Sequence, residues 1–150
     1  MPIASEQRWF YPIDWPELSN LIRFRRAKGR CEHCSRPHGR SVLHLGDGTW
    51  WDEDGVTWRD GRGRRARRLP APAELSIDQP GLAGIGPPSR LFSTRVVLAS
   101  AHLNHDPGDN RSRNLAALCQ RCHMLHDGAE HRRRRWSNAF RLRAMRDLFA

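Results

Sequence analysis

Two cysteine pairs of equal spacing, Cys31-x-x-Cys34 and Cys119-x-x-Cys122, constrain the fold of this chain more than any other feature. A two-residue gap lets both sulfurs of a pair face one ion, and two such pairs complete a tetrahedral shell of four thiolates. The pairs lie far apart in the chain, so a shared zinc ion would close a long loop and tie an N-terminal helix to the C-terminal half. A closed shell has no open coordination position, so this ion is expected to be structural. Redox chemistry at a lone pair is the competing reading, and the presence of two pairs argues against it. Met1 to Phe10 lack the basic-then-apolar form of a signal peptide, and no apolar run is long enough to span a bilayer. The expected setting is a reducing cytoplasm, where paired cysteines favour metal over disulfide. His33 and His38, beside the first pair, read as bystanders.

A staple is needed because the core must be small. Only 38% of the 150 residues are apolar, and 12 glycines with 10 prolines imply much loop. The length suits one domain. Lys and Arg together number 26 against 16 Asp and Glu, a formal net charge of +10, and Lys28 is the only lysine. The guanidinium fork matches phosphate oxygens, so a polyanion is the expected partner. A genome rich in Arg codons would explain arginine in place of lysine, but not the excess of cations over anions.

Along the chain, residues 1–15 are aromatic and irregular. Asp14, Pro16 and Glu17 read as a helix start, and Leu18, Leu21 and Ile22 continue at helical spacing, predicting a helix over about 16–28 that ends at Gly29. Residues 40–94 form the least legible part. Within them Asp54-Gly55 separates Thr49–Trp51 from Val56–Trp58, which predicts a β-hairpin with the tryptophans as its small core. Six arginines crowd into 59–68, and 70–90 read as a Pro- and Gly-rich loop. Arg95 to Ser100 predicts a strand. His102 to Arg113 is a polar loop, a helix starting near Cys119 carries His123, His126 and Asp127, and a separate basic helix spans about 130–150.

Ala101-His102-Leu103-Asn104-His105-Asp106, then Asn114-Leu115, then Cys119-Gln120-Arg121-Cys122-His123 follow one another in an order that closely resembles the HNH, or ββα-metal, endonucleases. The resemblance covers about 96–127, takes in Cys31 and Cys34 in order, and says nothing of 40–94. It implies a single small α+β domain over 1–150: a ββα core at about 95–127, the four-cysteine zinc site, the N-terminal helix, the 40–94 insertion and the basic C-terminal helix. It implies His102 as general base, His123 as ligand to one catalytic divalent metal (Mg2+, Mn2+, Ni2+ or Zn2+), and Asn114 as the residue that holds the loop and so orients His102. The chemistry agrees. A neutral imidazole suits activation of water, and a second group must fix its orientation. A divalent cation serves the phosphate and the leaving oxygen.

One position departs from that pattern. The family often carries Asp or Glu before the base, as a metal ligand, and here stands Ala101. His105, Asp106 and Asp127 are the candidates to complete the site, Asp127 lying one helical turn after His123 on the same face. His126 and Asp127 are read either as metal or phosphate contacts or as bridges to the basic tail. His44 and His131 read as surface groups. Ten arginines fall between 111 and 146 against Asp127 and Glu130. Arg121, Arg132, Arg133, Arg134 and Arg135 are the expected DNA contacts, made to the backbone. The expected function is metal-dependent nicking or cutting of DNA, with a homodimer, a packaging partner or a restriction partner compatible with it. The competing reading is a zinc-stapled DNA-binding or phage accessory protein whose chemistry was lost at Ala101.

Overall fold

A computed structural model describes residues 5–66, 69–75 and 91–148 as a small α+β domain. One antiparallel sheet has four strands in the order β3-β2-β1-β4: β1 Ser41–His44, β2 Trp50–Asp52, β3 Thr57–Arg59 and β4 Phe92–Arg95. The second sheet pairs β5 Leu98–His102 with β6 Leu115–Cys119, in the register Leu98 to Cys119 through His102 to Leu115. Three α-helices accompany them: α1 Trp15–Asn20, α2 Pro72–Leu75 and α3 Gln120–Leu148. Among the described residues no helix is long and apolar enough to cross a membrane.

The Asp54-Gly55 hairpin forms where the pattern predicts it, with Trp51 opposite Trp58. Trp50 and Trp58 are buried, so the tryptophans serve as core. The described parts of 40–94 are built into the first sheet, with β4 returning to pair with β1 along its whole length. The loop expected over 70–90 contains the short helix α2, and its remainder, 76–90, lies outside the described residues.

Three expectations need correction. The strand expected over 95–100 is two strands, because the chain changes sheets at Val96 and Val97. Val96 bridges to the first sheet through its N–H to the Arg40 carbonyl (2.8 Å), while the Val97 N–H donates to Gln120 Oε1 (3.0 Å). β-branched residues favour extended backbone and do not say which sheet receives it. The helix expected over 16–28 is α1 followed by a π-helical turn, Leu21–Arg26, and Asp14 makes no side-chain cap. The wider turn sets Ile22, fully buried, against the β5–β6 pair and frees Arg26 to donate to the carbonyls of Ser112 (2.7 Å) and Leu115 (2.5 Å). The two helices expected after Cys119 are the single helix α3, since Gly128 is accommodated within it.

β6 is buried at all five positions, between the π-helical turn and α3. Its small Ala116 and Ala117 let both elements approach. α3 therefore leaves the core directly from β6, with its first turn at the cysteines and its next turns over the end of β5.

Candidate active site and metal cluster

Cys31, Cys34, Cys119 and Cys122 are 2%, 1%, 1% and 4% exposed, and their sulfurs all lie within 4.8 Å of one another. Cys34 and Cys119 Sγ are 3.6 Å apart, and no disulfide joins them. A tetrahedral shell with metal–sulfur bonds of about 2.3 Å sets sulfurs about 3.8 Å apart. The cluster could therefore hold one metal ion in a four-sulfur shell. Hydrogen bonds from its three neighbours drive the Cys31 thiol far below its usual range, while the same contacts and burial drive Cys34 far above it. Four buried thiolates cannot coexist without a cation among them. The surroundings are built for sulfur: the Cys119 N–H donates to Cys31 Sγ (3.3 Å), and His33 Nδ1 lies 3.5 Å from Cys122 Sγ. His33, read as a bystander, is therefore against the cluster.

The second site is a cleft between the end of β5, the loop after it, and α3. His102, His105, His123 and Asp127 all line it. His102 ends β5, where its ring stacks on Trp15 (centroids 5.5 Å apart, planes within 10°) and meets the edge of Tyr11. Its Nε2 is 3.0 Å from Asn110 Oδ1. The Asn110 amide nitrogen faces three carbonyls, of Phe10, Pro107 and Gly108. Carbonyls only accept, so the Asn110 oxygen must face His102 and His102 Nε2 must donate. The neutral ring then carries its lone pair on Nδ1.

Asn114 holds the loop. Its Nδ2 donates to Asn104 Oδ1 and to the Asp109 carbonyl, both at 2.8 Å, and its Oδ1 accepts the Asn104 N–H at 3.1 Å. Its carbonyl accepts the Leu103 N–H, the residue next to His102 (2.8 Å). These bonds carry His105 over the cleft with a left-handed backbone, φ +60°. Arg111 closes the loop through Asp109, holding that carboxyl at about 2.

On the helix side, Asp127 bridges two histidines. His105 Nδ1 lies 3.4 Å from Asp127 Oδ1, and His123 Nε2 lies 3.2 Å from Asp127 Oδ2. Burial holds His123 below the usual imidazole range despite that carboxylate. His126 stacks on His105 with centroids 4.4 Å apart, and its Nε2 is 3.2 Å from the His102 carbonyl. One candidate ligand, Asp106, and the family's usual carboxylate position, Ala101, stand elsewhere. Ala101 is 2% exposed, paired with Ala116 in the sheet. Asp106 is exposed and folded into its own turn, its Oδ1 accepting the Gly108 N–H (2.9 Å).

Glu130, His131 and Arg134 form the helical rim of the cleft. Arg133 and Arg134 pair with Glu130 and hold its carboxyl at about 2. All of Arg132 to Arg135 are exposed, and Arg132 and Arg135 enter no ion pair among the described residues. Arg121 is different: half-buried, it donates to the Asp47 carbonyl (3.2 Å) and packs over Gly48. It braces the first sheet against α3, where a DNA contact was expected.

Sequence reasoning missed Tyr11, Trp15 and Asn110 as supports of His102, and His131 as part of the rim. The aromatic density of the first 15 residues was the available signal, but nothing in it says which histidine it serves. Comparison with known proteins adds no family: no protein-family model, no curated protein and no solved structure matches this chain.

Proposed function

We propose that this chain is a metal-dependent endonuclease of the HNH type that hydrolyses DNA phosphodiester bonds. The observation that carries this reading is the convergence of His102 with His123, His105 and Asp127 on one open cleft rimmed by Arg134. A wall holding an oriented imidazole, facing a wall of imidazole and carboxylate donors, is what a metal-assisted hydrolase requires. A role in folding alone gives no reason to gather these groups at the surface.

In this reading His102 takes a proton from the attacking water at Nδ1, the atom left bare by the Nε2–H bond to Asn110. Trp15 and Tyr11 prevent the ring from turning away. Asn114 keeps the end of β5 and the loop in register, so it is a positioning residue. Asp127 belongs to the metal-binding wall, and His123 stands against its carboxylate. A divalent cation, when bound there, supplies Lewis-acid polarisation of the phosphate and stabilises the leaving oxygen. Arg134 and His131 face the phosphates that flank the scissile one, and Arg132 and Arg135 extend that contact without reading bases. The four-thiolate cluster is read as a structural zinc site, one zinc per chain.

Ala101 favours a second reading. It offers no ligand where the family often has a carboxylate, which suits a protein that binds DNA without cutting it. One experiment separates the two. Supercoiled plasmid is incubated with the protein and Mg2+, Mn2+, Ni2+ or EDTA, beside His102→Ala. Metal-dependent nicking that disappears in the variant supports the enzyme. Equal inactivity of both proteins with every metal, with salt-dependent DNA binding retained, sinks it in favour of the binding protein.

A further inference from the structure

We propose that His105, His126 and Asp127 together hold a divalent transition-metal ion, and that His105 supplies the ligand which Ala101 cannot. The site stands on geometry; only its catalytic use rests on the nuclease reading. One donor atom from each residue lies within 4.8 Å of the other two, and all three residues are half-buried. The His105 and His126 rings are nearly parallel, 25° apart in plane. One ligand atom from each of two imidazoles and a carboxylate is thus within reach of a single ion, once a small turn of the stacked rings aims their in-plane lone pairs at it.

The tautomer of His126 is consistent with this use. Its Nε2 faces the main-chain carbonyl of His102, which can only accept. Nε2 therefore carries the proton and Nδ1 keeps the lone pair. A ligating histidine commonly donates its other nitrogen to such a partner, which fixes the ring. Here the partner belongs to the residue read as the general base, so base and metal wall share one backbone group.

His105 is brought to the cluster by the backbone of its loop. It sits in the left-handed backbone region, which side chains other than glycine seldom occupy. Such strain persists where surrounding structure enforces it, and here the Asn104–Asn114–Asp109 network does so. The result is an imidazole projected toward Asp127. His123 then acts on the far oxygen of Asp127 and orients it. That makes His123 a positioning residue, where the family resemblance implies a ligand.

The donor set predicts the metal. Two imidazole nitrogens and one carboxylate oxygen suit Ni2+, Co2+, Zn2+ and Fe2+, whereas Mg2+ prefers oxygen alone. The test is isothermal titration of Ni2+ into the full chain already loaded with one zinc. One further equivalent of Ni2+ is expected, undisturbed by millimolar Mg2+. His105→Asn, His126→Ala and Asp127→Asn should each weaken it about tenfold or more, with Asp106→Ala unchanged and His123→Ala milder than the three. His105→Asn is chosen because Asn tolerates the left-handed backbone. Retention of the one zinc reports that each variant is folded. Absence of a second equivalent, displacement of Ni2+ by Mg2+, or His126→Ala binding like wild type overturns the proposal. Ni2+ binding as described without any plasmid nicking overturns the nuclease and leaves the metal site. Nicking by a protein whose Ni2+ affinity ignores His105 and His126 does the reverse.

Discussion

The side chain of Asn114 makes three hydrogen bonds, two as donor through Nδ2 and one as acceptor through Oδ1. Only a carboxamide of this length satisfies all three. Asn114→Asp has nearly the same shape, yet it places carboxylate oxygen against Asn104 Oδ1 and the Asp109 carbonyl. Two donors are lost and two acceptors are left facing charge. Asn114→Ala loses all three bonds but adds no repulsion. The expected order of stability is therefore wild type, then Ala, then Asp, each variant losing about 1–3 kcal/mol or more in chemical denaturation. An Asp variant as stable as wild type would show that the loop does not depend on these bonds. Nicking should fall in both variants, since His102 and His105 are both hung from this network.

At the scale of elements, α3 contains a glycine that nothing in the packing requires. A Cβ built on Gly128 meets only Arg132 Nη1, at 3.7 Å, an ordinary contact. Gly128→Ala should stabilise the helix by about 0.5–1 kcal/mol, because glycine loses more backbone freedom on folding. A raised melting temperature with unchanged nicking is the expected result, and a lowered one would mean that the helix bends there in solution. That glycine also explains a misreading. With no polar–apolar period to follow beyond it, the sequence reads as two helices, whereas continuity comes from the hydrogen bonds of the helix itself. The cleft gathers His102 with His123 where their order in the chain suggested, and the cysteine cluster was legible because a shared metal shell would demand that spacing. The change of sheet at Val96 and the supports of His102 were not, since both are long-range contacts without a local pattern.

The first sheet carries its own pH-sensitive contact. His44 Nδ1 accepts the Gly46 N–H (3.2 Å), which leaves Nε2 to donate to Thr94 Oγ1 (2.8 Å), so β1 and β4 are joined by the neutral ring. Burial, then the cations Arg36 and Arg121, hold His44 below its ordinary value of 6.5. A group with a depressed folded value contributes stability that is complete above the unfolded value and lost as pH falls through the folded one. The melting temperature should therefore decline as pH drops below about 6.5. Hydrogen-exchange protection of the Gly46 amide should decline with it. His44→Gln should remove this part of the pH dependence, and an unaltered profile in that variant would assign the decline to other groups.

For the whole molecule, the four sulfurs join the N-terminal segment to the C-terminal half at the centre of the described core. Cys34 and Cys119 are 85 residues apart, and the same cluster anchors the first turn of α3. The described core is short of large side chains: Trp50, Ile22, Leu98 and Leu115 lead it, and the cysteines themselves fill much of the rest. Structural zinc in small domains contributes about 10–16 kcal/mol. Folded domains are stable by about 5–15 kcal/mol in total. If zinc occupies the cluster, its removal should therefore cost the fold, not merely loosen it. A strong chelator under reducing conditions is expected to abolish the cooperative thermal transition and collapse the dispersed NMR spectrum, with one equivalent of Zn2+ restoring both and Mg2+ restoring neither. The cleft must fail at the same moment, because His102 stands on β5 while His123 and Asp127 stand on the helix that the cysteines hold against it. A chain that keeps its cooperative transition without metal would place the stability in the apolar core, and the cleft would then survive chelation intact.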